Sequence, residues 1–339
     1  MKKILVTGAG GYIGSILVPH LLKKNYKVLA VDRFFFGNFL KKNKNLSFLN
    51  DDIRTIDKKY FNNIYAVIDL AAISNDPSGE NFSKETYQIN HVARLRNAKL
   101  AKKQGVERYL LPSTCSNYGK VKANKVANEE SELNPLTHYA KANSMAERDI
   151  IKLASSKFCV TIYRQSTLFG YSPRLRLDLA INGMTYGLYK NNILPVMRDG
   201  TQKRPMLHIK DAARAMEFFL KTDSKIINKQ IYNIGDNSSN YSIIELVNEF
   251  KLIFKNKIKI KWYGTPDQRS YSVSFDKINK IGFKTKYNAE YGIMELIKKF
   301  NKNKIEKKSI NITLEWYKEL EKMNNIIENC SINNKILKL

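Results

Sequence analysis

The segment KKILVTGAGGYIGSILVPHLL at the start of the 339-residue chain constrains the fold more than any other stretch. An apolar run at 3–7 leads through Gly8, Gly11 and Gly14 into an amphipathic segment at 13–23, with Tyr12 and Ile13 inside the turn. Glycines so placed let the chain turn sharply, bring backbone N–H groups up to a pyrophosphate and pack a helix close to a sheet, while the helix N-terminus favours negative charge. The next strand candidate ends in Asp32, eighteen residues after Gly14. A carboxylate there would bind the adenosine ribose hydroxyls and repel a 2′-phosphate, so the reading is a site for NAD rather than NADP.

Further apolar runs at 27–31, 47–49, 65–70, 108–112 and 159–163 alternate with helical periodicity at 13–23, 84–103 and 139–154. That alternation predicts an α/β fold, a doubly wound parallel sheet of Rossmann type. Past Phe169 the order changes, with Pro173, Arg174 and Arg176 leading into a helix at 179–189 and strands at 193–196 and 230–234. The expected division is an NAD-binding domain at 1–168 with a returning segment near 205–235, then a smaller, mainly substrate-binding domain at 169–300. A basic helical tail at 301–339, most regular at 314–323, reads as a solvated cap.

Hydrophobic residues make up 43% of the chain, enough for a large buried core. The first apolar run is broken by glycines, so it has neither the length of a membrane span nor the layout of a signal peptide, and the cytoplasm is the expected location. Cys115, Cys159 and Cys330 are too few and too scattered for a disulfide framework or a zinc site, so free thiols and no metal are expected. A formal charge of +27 attracts phosphate. The lysines are nevertheless spread along the whole chain, and no nucleic-acid module accompanies them. An anionic small molecule is therefore expected as partner, not a nucleic acid or a membrane.

Later motifs carry a more specific likeness. Asp52 and Ile53 follow the third apolar run; Leu70, Ala71 and Ala72 close the fourth; STCSNYG spans Ser113 to Gly119; and HYAKANSMAE spans His138 to Glu147. With the Gly-x-x-Gly-x-x-Gly turn, this sequence resembles, over roughly residues 1–290, the extended short-chain dehydrogenase/reductases of the nucleotide-sugar epimerase/dehydratase family. The resemblance implies that Asp52 and Ile53 touch the adenine and that Leu70, Ala71 and Ala72 run beneath the cofactor. It makes Asn90 a structural asparagine, Thr114 the catalytic Ser/Thr and Tyr139 the catalytic tyrosine. Tyr139 as phenolate would take a proton from a sugar hydroxyl, usually at C4, while hydride passes to NAD. Relatives pair as dimers through helices corresponding to 84–103 and 139–154, so a homodimer is expected.

The family pattern is Tyr-x-x-x-Lys, and here Asn143 stands at the lysine position. At i+4 a residue shares the tyrosine's helix face, where the family lysine lowers the tyrosine pKa and holds the nicotinamide ribose. Asn143 can still offer hydrogen bonds to the ribose but brings no charge. Lys141, two residues along, should point about 200° away. Two readings stay open: an active enzyme whose tyrosine is activated from elsewhere, and a catalytically idle protein that binds NAD and a nucleotide sugar.

The family's 4,6-dehydratases carry an Asp-Glu pair after the catalytic Thr, where this chain has Cys115 and Ser116, so loss of water is not expected. What remains is redox chemistry at one carbon of a nucleotide-diphosphate sugar: 4-epimerisation first, with a 4-dehydrogenase or reductase as its rival. Ser74, Asn75 and Asp76 extend past the cofactor strand and could reach the sugar. The resemblance places Thr167 at a substrate asparagine, Asn182 near the nucleotide diphosphate, and Arg204 and Arg269 at its phosphates, where a forked guanidinium suits the oxygens.

Overall fold

The computed structural model describes residues 1–122, 125–255, 257–265 and 267–331. Its main sheet has seven strands: β1 (Lys3–Thr7), β2 (Lys27–Asp32), β3 (Leu46–Asn50), β4 (Ala66–Asp69), β5 (Arg108–Thr114), β6 (Cys159–Gln165) and β7 (Gln230–Ile234). Every neighbouring pair is parallel, in the order β3-β2-β1-β4-β5-β6-β7. The strand order reverses between β1 and β4, and in open sheets of this kind ligands bind at the C-terminal ends of the strands flanking that reversal. The doubly wound Rossmann-type sheet expected from the alternation is thus present.

Burial on both faces explains the near-continuous apolar strands. Along β1, Ile4 and Val6 enter one core while Leu5 enters the other, the period of two that a strand imposes. β4 and β5 divide in the same way, with Ile68 and Leu110 on the first face and Val67, Tyr109 and Leu111 on the second. A third cluster runs from Phe169 through Ile181, Leu194 and Phe250 to Ile293 and Phe300. It underlies two smaller groups of strands, Lys203–His208 between Thr167–Phe169 and Asn240–Ser242, and Ile193–Met197 beside Lys259–Tyr263.

Two stretches depart from the periodic reading. The helix expected at 84–103 is three pieces, Ser83–Tyr87, a π-helical turn Gln88–Ala93, and Arg94–Lys103. In the C-terminal segment, the Thr313–Cys330 helix lies against the body of the protein: Trp316 Nε1 donates to Phe35 O at 2.6 Å, and the Tyr317 ring meets Phe36 and Phe82 edge-on. Among the described residues, no helix is long and apolar enough to cross a membrane.

Candidate active site

The glycine turn is closed to side chains. Gly8 has φ +63°, and a Cβ there would lie 2.7 Å from Ala71 N; one on Gly14 would lie 2.4 Å from the carbonyls of Gly8 and Ala9. Backbone from β1 is thereby pressed against the strand end Leu70–Ala72, and Ala71 N donates to Thr7 Oγ1 at 3.0 Å. Asp32, at the end of β2, accepts from Gly10 N at 2.9 Å and Phe34 N at 2.6 Å, so the carboxylate is fixed beside the turn. Tyr12 is buried and its hydroxyl donates to Gly170 O, which ties the turn to the segment after β6. Ile53 is buried, whereas the Asp52 carboxylate is held by Arg54 and Arg33; the Arg54 hydrogen bonds keep it down at about 2. A side-chain-free turn, a carboxylate at the β2 end and an open strand end at β4 fit a dinucleotide laid across the β1/β4 reversal.

The His138–Ile150 helix carries the second half of the site. Thr137 caps it, accepting from Ala140 N at 3.2 Å and donating to Asp76 at 2.5 Å. Its buried face includes Asn143, Ala146, Glu147 and Ile150, at i, i+3, i+4 and i+7. Glu147 fastens this face to the sheet. It accepts from Ser113, from Asn117 at 2.7 Å and from Arg164 at 2.7 Å in a buried ion pair, so the helix is pinned to both β5 and β6. Lys141 is exposed on the far side, as helical geometry requires.

Tyr139 lies where β5, this helix and the Asp76–Asn81 helix converge. Gly79 permits that approach, since a Cβ on it would stand 2.9 Å from Tyr139 Cβ. Burial pushes the Tyr139 hydroxyl up to about 12, and the Asp76 carboxylate adds to the shift; Thr114, Arg94 and Arg176 pull the other way. Thr114 also accepts from Ser116 N at 3.1 Å, which holds its oxygen at the strand end. Cys115 is buried with its thiol against Arg164 O, and burial raises its pKa well above the ordinary value, so it offers no ready acid or base.

Asn143 is almost wholly buried and its amide is engaged at both ends. Nδ2 donates to Tyr139 O at 2.8 Å, and Oδ1 accepts from Arg94 Nη1 at 3.0 Å. No motif in the sequence marks Arg94. The available signal was its position: with Asn97, Ala98 and Ala101 it forms the buried face of its helix, an unusual place for a cation.

Around the start of the Asp76–Asn81 helix the structure gathers Ser74, Asn75, Arg176 and Asp178. Arg176 pairs with Asp178 and reaches Ser74 Oγ at 3.4 Å, while Asn75 donates to Asp178 at 2.8 Å and caps the Asp76–Asn81 helix. Arg204 and Arg269 also meet: Arg204 donates to Arg269 O, both pair with Asp267, and Arg269 also pairs with Asp76. Asn182 is turned inward, its amide holding Gly170, Tyr12 Oη and Arg176 O. Thr167 begins the short strand beside Met206.

The chain matches the NAD dependent epimerase/dehydratase family over residues 4–235. It is 29% identical over 287 residues to an uncharacterised UDP-glucose epimerase, YtcB, of Bacillus subtilis, covering 76% of this chain and 86% of that one. It is 28% identical to UDP-glucuronate 4-epimerase of Thermodesulfobacterium geofontis, covering 88% and 95%. Among solved structures, MoeE5 in complex with UDP-glucuronic acid and NAD superposes with a TM-score of 0.78 at 25% identity, over 89% of this chain and 100% of that one. The glycine turn, the Tyr139 helix and these likenesses converge: the chain belongs to the NAD dependent epimerase/dehydratase family, and its cofactor is NAD.

Proposed function

We propose that this protein inverts one carbon, C4, of a nucleotide-diphosphate sugar by NAD-dependent oxidation and re-reduction. The observation that carries the reading is the convergence of Tyr139 and Thr114 at the C-terminal end of β5, within reach of the Arg94 and Arg176 charges. Relatives named as UDP-glucose and UDP-glucuronate 4-epimerases support the choice of carbon.

Bound NAD supplies a hydride acceptor and donor, and its cationic ring favours a phenolate nearby. The protein's own residues do the rest. The turn built on Gly8, Gly11 and Gly14 presents the helix N-terminus and the backbone of Tyr12 and Ile13 to the pyrophosphate, and Asp32 takes the adenosine ribose. Asp52 and Ile53 bound the adenine end, with Leu70, Ala71 and Ala72 as the floor. Tyr139 removes the sugar hydroxyl proton and returns it, and Thr114 donates a hydrogen bond to the same oxygen. Arg204 and Arg269 give up their carboxylate partners to the diphosphate, while Ser74, Asn75 and Thr167 face the sugar. Asn143 works from beneath Tyr139.

Loss of water from the sugar is not part of the reading, because the residues after Thr114 are a buried cysteine and Ser116, with no carboxylate pair. The test is incubation with NAD and UDP-, GDP-, CDP- and dTDP-sugars, products being resolved by NMR. A C4 epimer is expected from at least one sugar, and Tyr139→Phe should reduce its formation at least ~100-fold. Equal rates in the two proteins would contradict the assignment of Tyr139, and a free 4-keto sugar as sole product would favour a dehydrogenase.

A further inference from the structure

We propose that Arg94 supplies the positive charge that the Tyr-x-x-x-Lys pattern would place at position 143, with Asn143 as the clamp that holds it there. The proposal rests on Tyr139 being the base. Arg94 is a positioning and charge-supplying residue, since it contacts Asn143 and the strand ends but not the space above Tyr139.

Arg94 is 2% exposed, and its guanidinium is bound on all sides. It donates to Ala71 O at 3.1 Å, Asp69 O at 3.2 Å, Pro112 O at 3.3 Å and Asn143 Oδ1 at 3.0 Å. All four acceptors are neutral. The nearby Asp69 carboxylate is directed elsewhere, accepting from Thr7 Oγ1 and Tyr109 Oη at 2.5 Å each. Among the described residues Arg94 is paired with no carboxylate, and a buried cation satisfied only by neutral hydrogen bonds is costly for a fold to keep. That cost is offset where an anion forms nearby, and the carbonyls it binds belong to the ends of β4 and β5, next to Tyr139 and Thr114.

Asn143 suits the role better than lysine would. An arginine has only donors, so the amide must present its oxygen to Arg94, and its nitrogen then closes on Tyr139 O one helical turn back. A lysine at 143 would face the guanidinium with a second cation. The π-helical turn Gln88–Ala93 directly precedes Arg94, where the extra residue in the turn resets which side of the helix faces the sheet.

The groups close enough to act on the Tyr139 hydroxyl are Asp76, itself paired with Arg269, together with Arg94, Arg176 and the Thr114 hydroxyl. Arg176 is bound to Asp178, which leaves Arg94 as the cation among them without a carboxylate partner. An opposite charge within reach moves a titration by about one to three units.

The test places a fluorinated tyrosine, whose phenol titrates at milder pH, at position 139 alone and follows its ionisation by fluorine NMR. It needs no sugar, so it stands or falls separately from the epimerase reading. Arg94→Gln should raise the Tyr139 midpoint by about one unit, tenfold less phenolate at a given pH. A folded Arg94→Gln protein with an unchanged midpoint overturns the proposal. Arg94→Gln/Asn143→Lys decides the matter even if the single variant fails to fold. One cation exchanged for another should leave the midpoint near wild type, whereas a midpoint about one unit lower would show that the wild-type site had no such charge.

Discussion

At the scale of single residues, Asn143 is the position where the sequence and the structure say different things. Taken alone, it is a missing lysine. Its amide is in fact the acceptor for a buried arginine drawn from another helix, a partnership between residues 49 apart in the chain that no local spacing signals. Asn143→Lys alone is therefore expected to lower stability by about 2–4 kcal/mol, because it removes the acceptor and sets one buried cation against another. Urea unfolding measures this, and turnover should not rise. A faster enzyme of unchanged stability would instead mean that Asn143 is merely a weak substitute. The raised pKa of Tyr139 also fixes the sign of the pH dependence. Its proton is held at neutral pH, so turnover should climb with pH toward the alkaline side as the phenolate fraction grows. Tyr139, Thr114, Gly8, Gly14 and Asp32 can be proposed from sequence because each belongs to a short motif. Gly79 cannot, because its role is to admit Tyr139 from a separate helix.

At the scale of elements, periodicity located the sheet well. The run at 3–7 is β1, the run at 159–163 lies within β6, and the run at 230–234 is β7. Strands buried on both faces announce themselves as apolar runs, and the alternation with helices leaves little choice of class. The 84–103 segment was less transparent. Its helical pattern is continuous in sequence, but the π-helical turn inside it answers to packing against the Ile73 backbone, which Asn90 grips through N and O at 2.9 Å each, and to the inward turn of Arg94. Such a turn is set by partners on other elements, so local propensity does not reveal it. The Glu147–Arg164 pair belongs to the same class of feature, a contact between a helix and a strand that fixes the height of Tyr139 above the sheet.

At the scale of the whole molecule, the Thr313–Cys330 helix bears on the cofactor crevice. Read from sequence it is a lysine- and asparagine-rich extension, yet its first turns sit on the loop after β2. Arg174 donates to Thr313 Oγ1 at 3.0 Å and stacks on Phe36, and Tyr317 packs between Phe36 and Phe82. Burial pushes the Tyr317 hydroxyl up to about 12, with Arg174 and Asp32 close enough to act on it. This helix therefore stands at the Asp32 end of the crevice. Tyr317→Ala should speed NAD release by about tenfold, a difference near 1.4 kcal/mol, measured by fluorescence chase of bound cofactor. Release at the wild-type rate would show that the helix braces the loop without covering the cofactor. The charge of +27, by contrast, is largely cancelled at the outer arginines of the site: Arg176, Arg204 and Arg269 are matched by Asp178, Asp267 and Asp76. The central claim, oxidation and re-reduction at one carbon by a retained cofactor, is tested most directly with a nucleotide sugar deuterated at C4, chosen from the substrates found by the panel. An epimeric product that keeps its deuterium at C4, with none lost to water, is expected. A product that carries hydrogen there, or a ketone that leaves with the label removed, would contradict that claim.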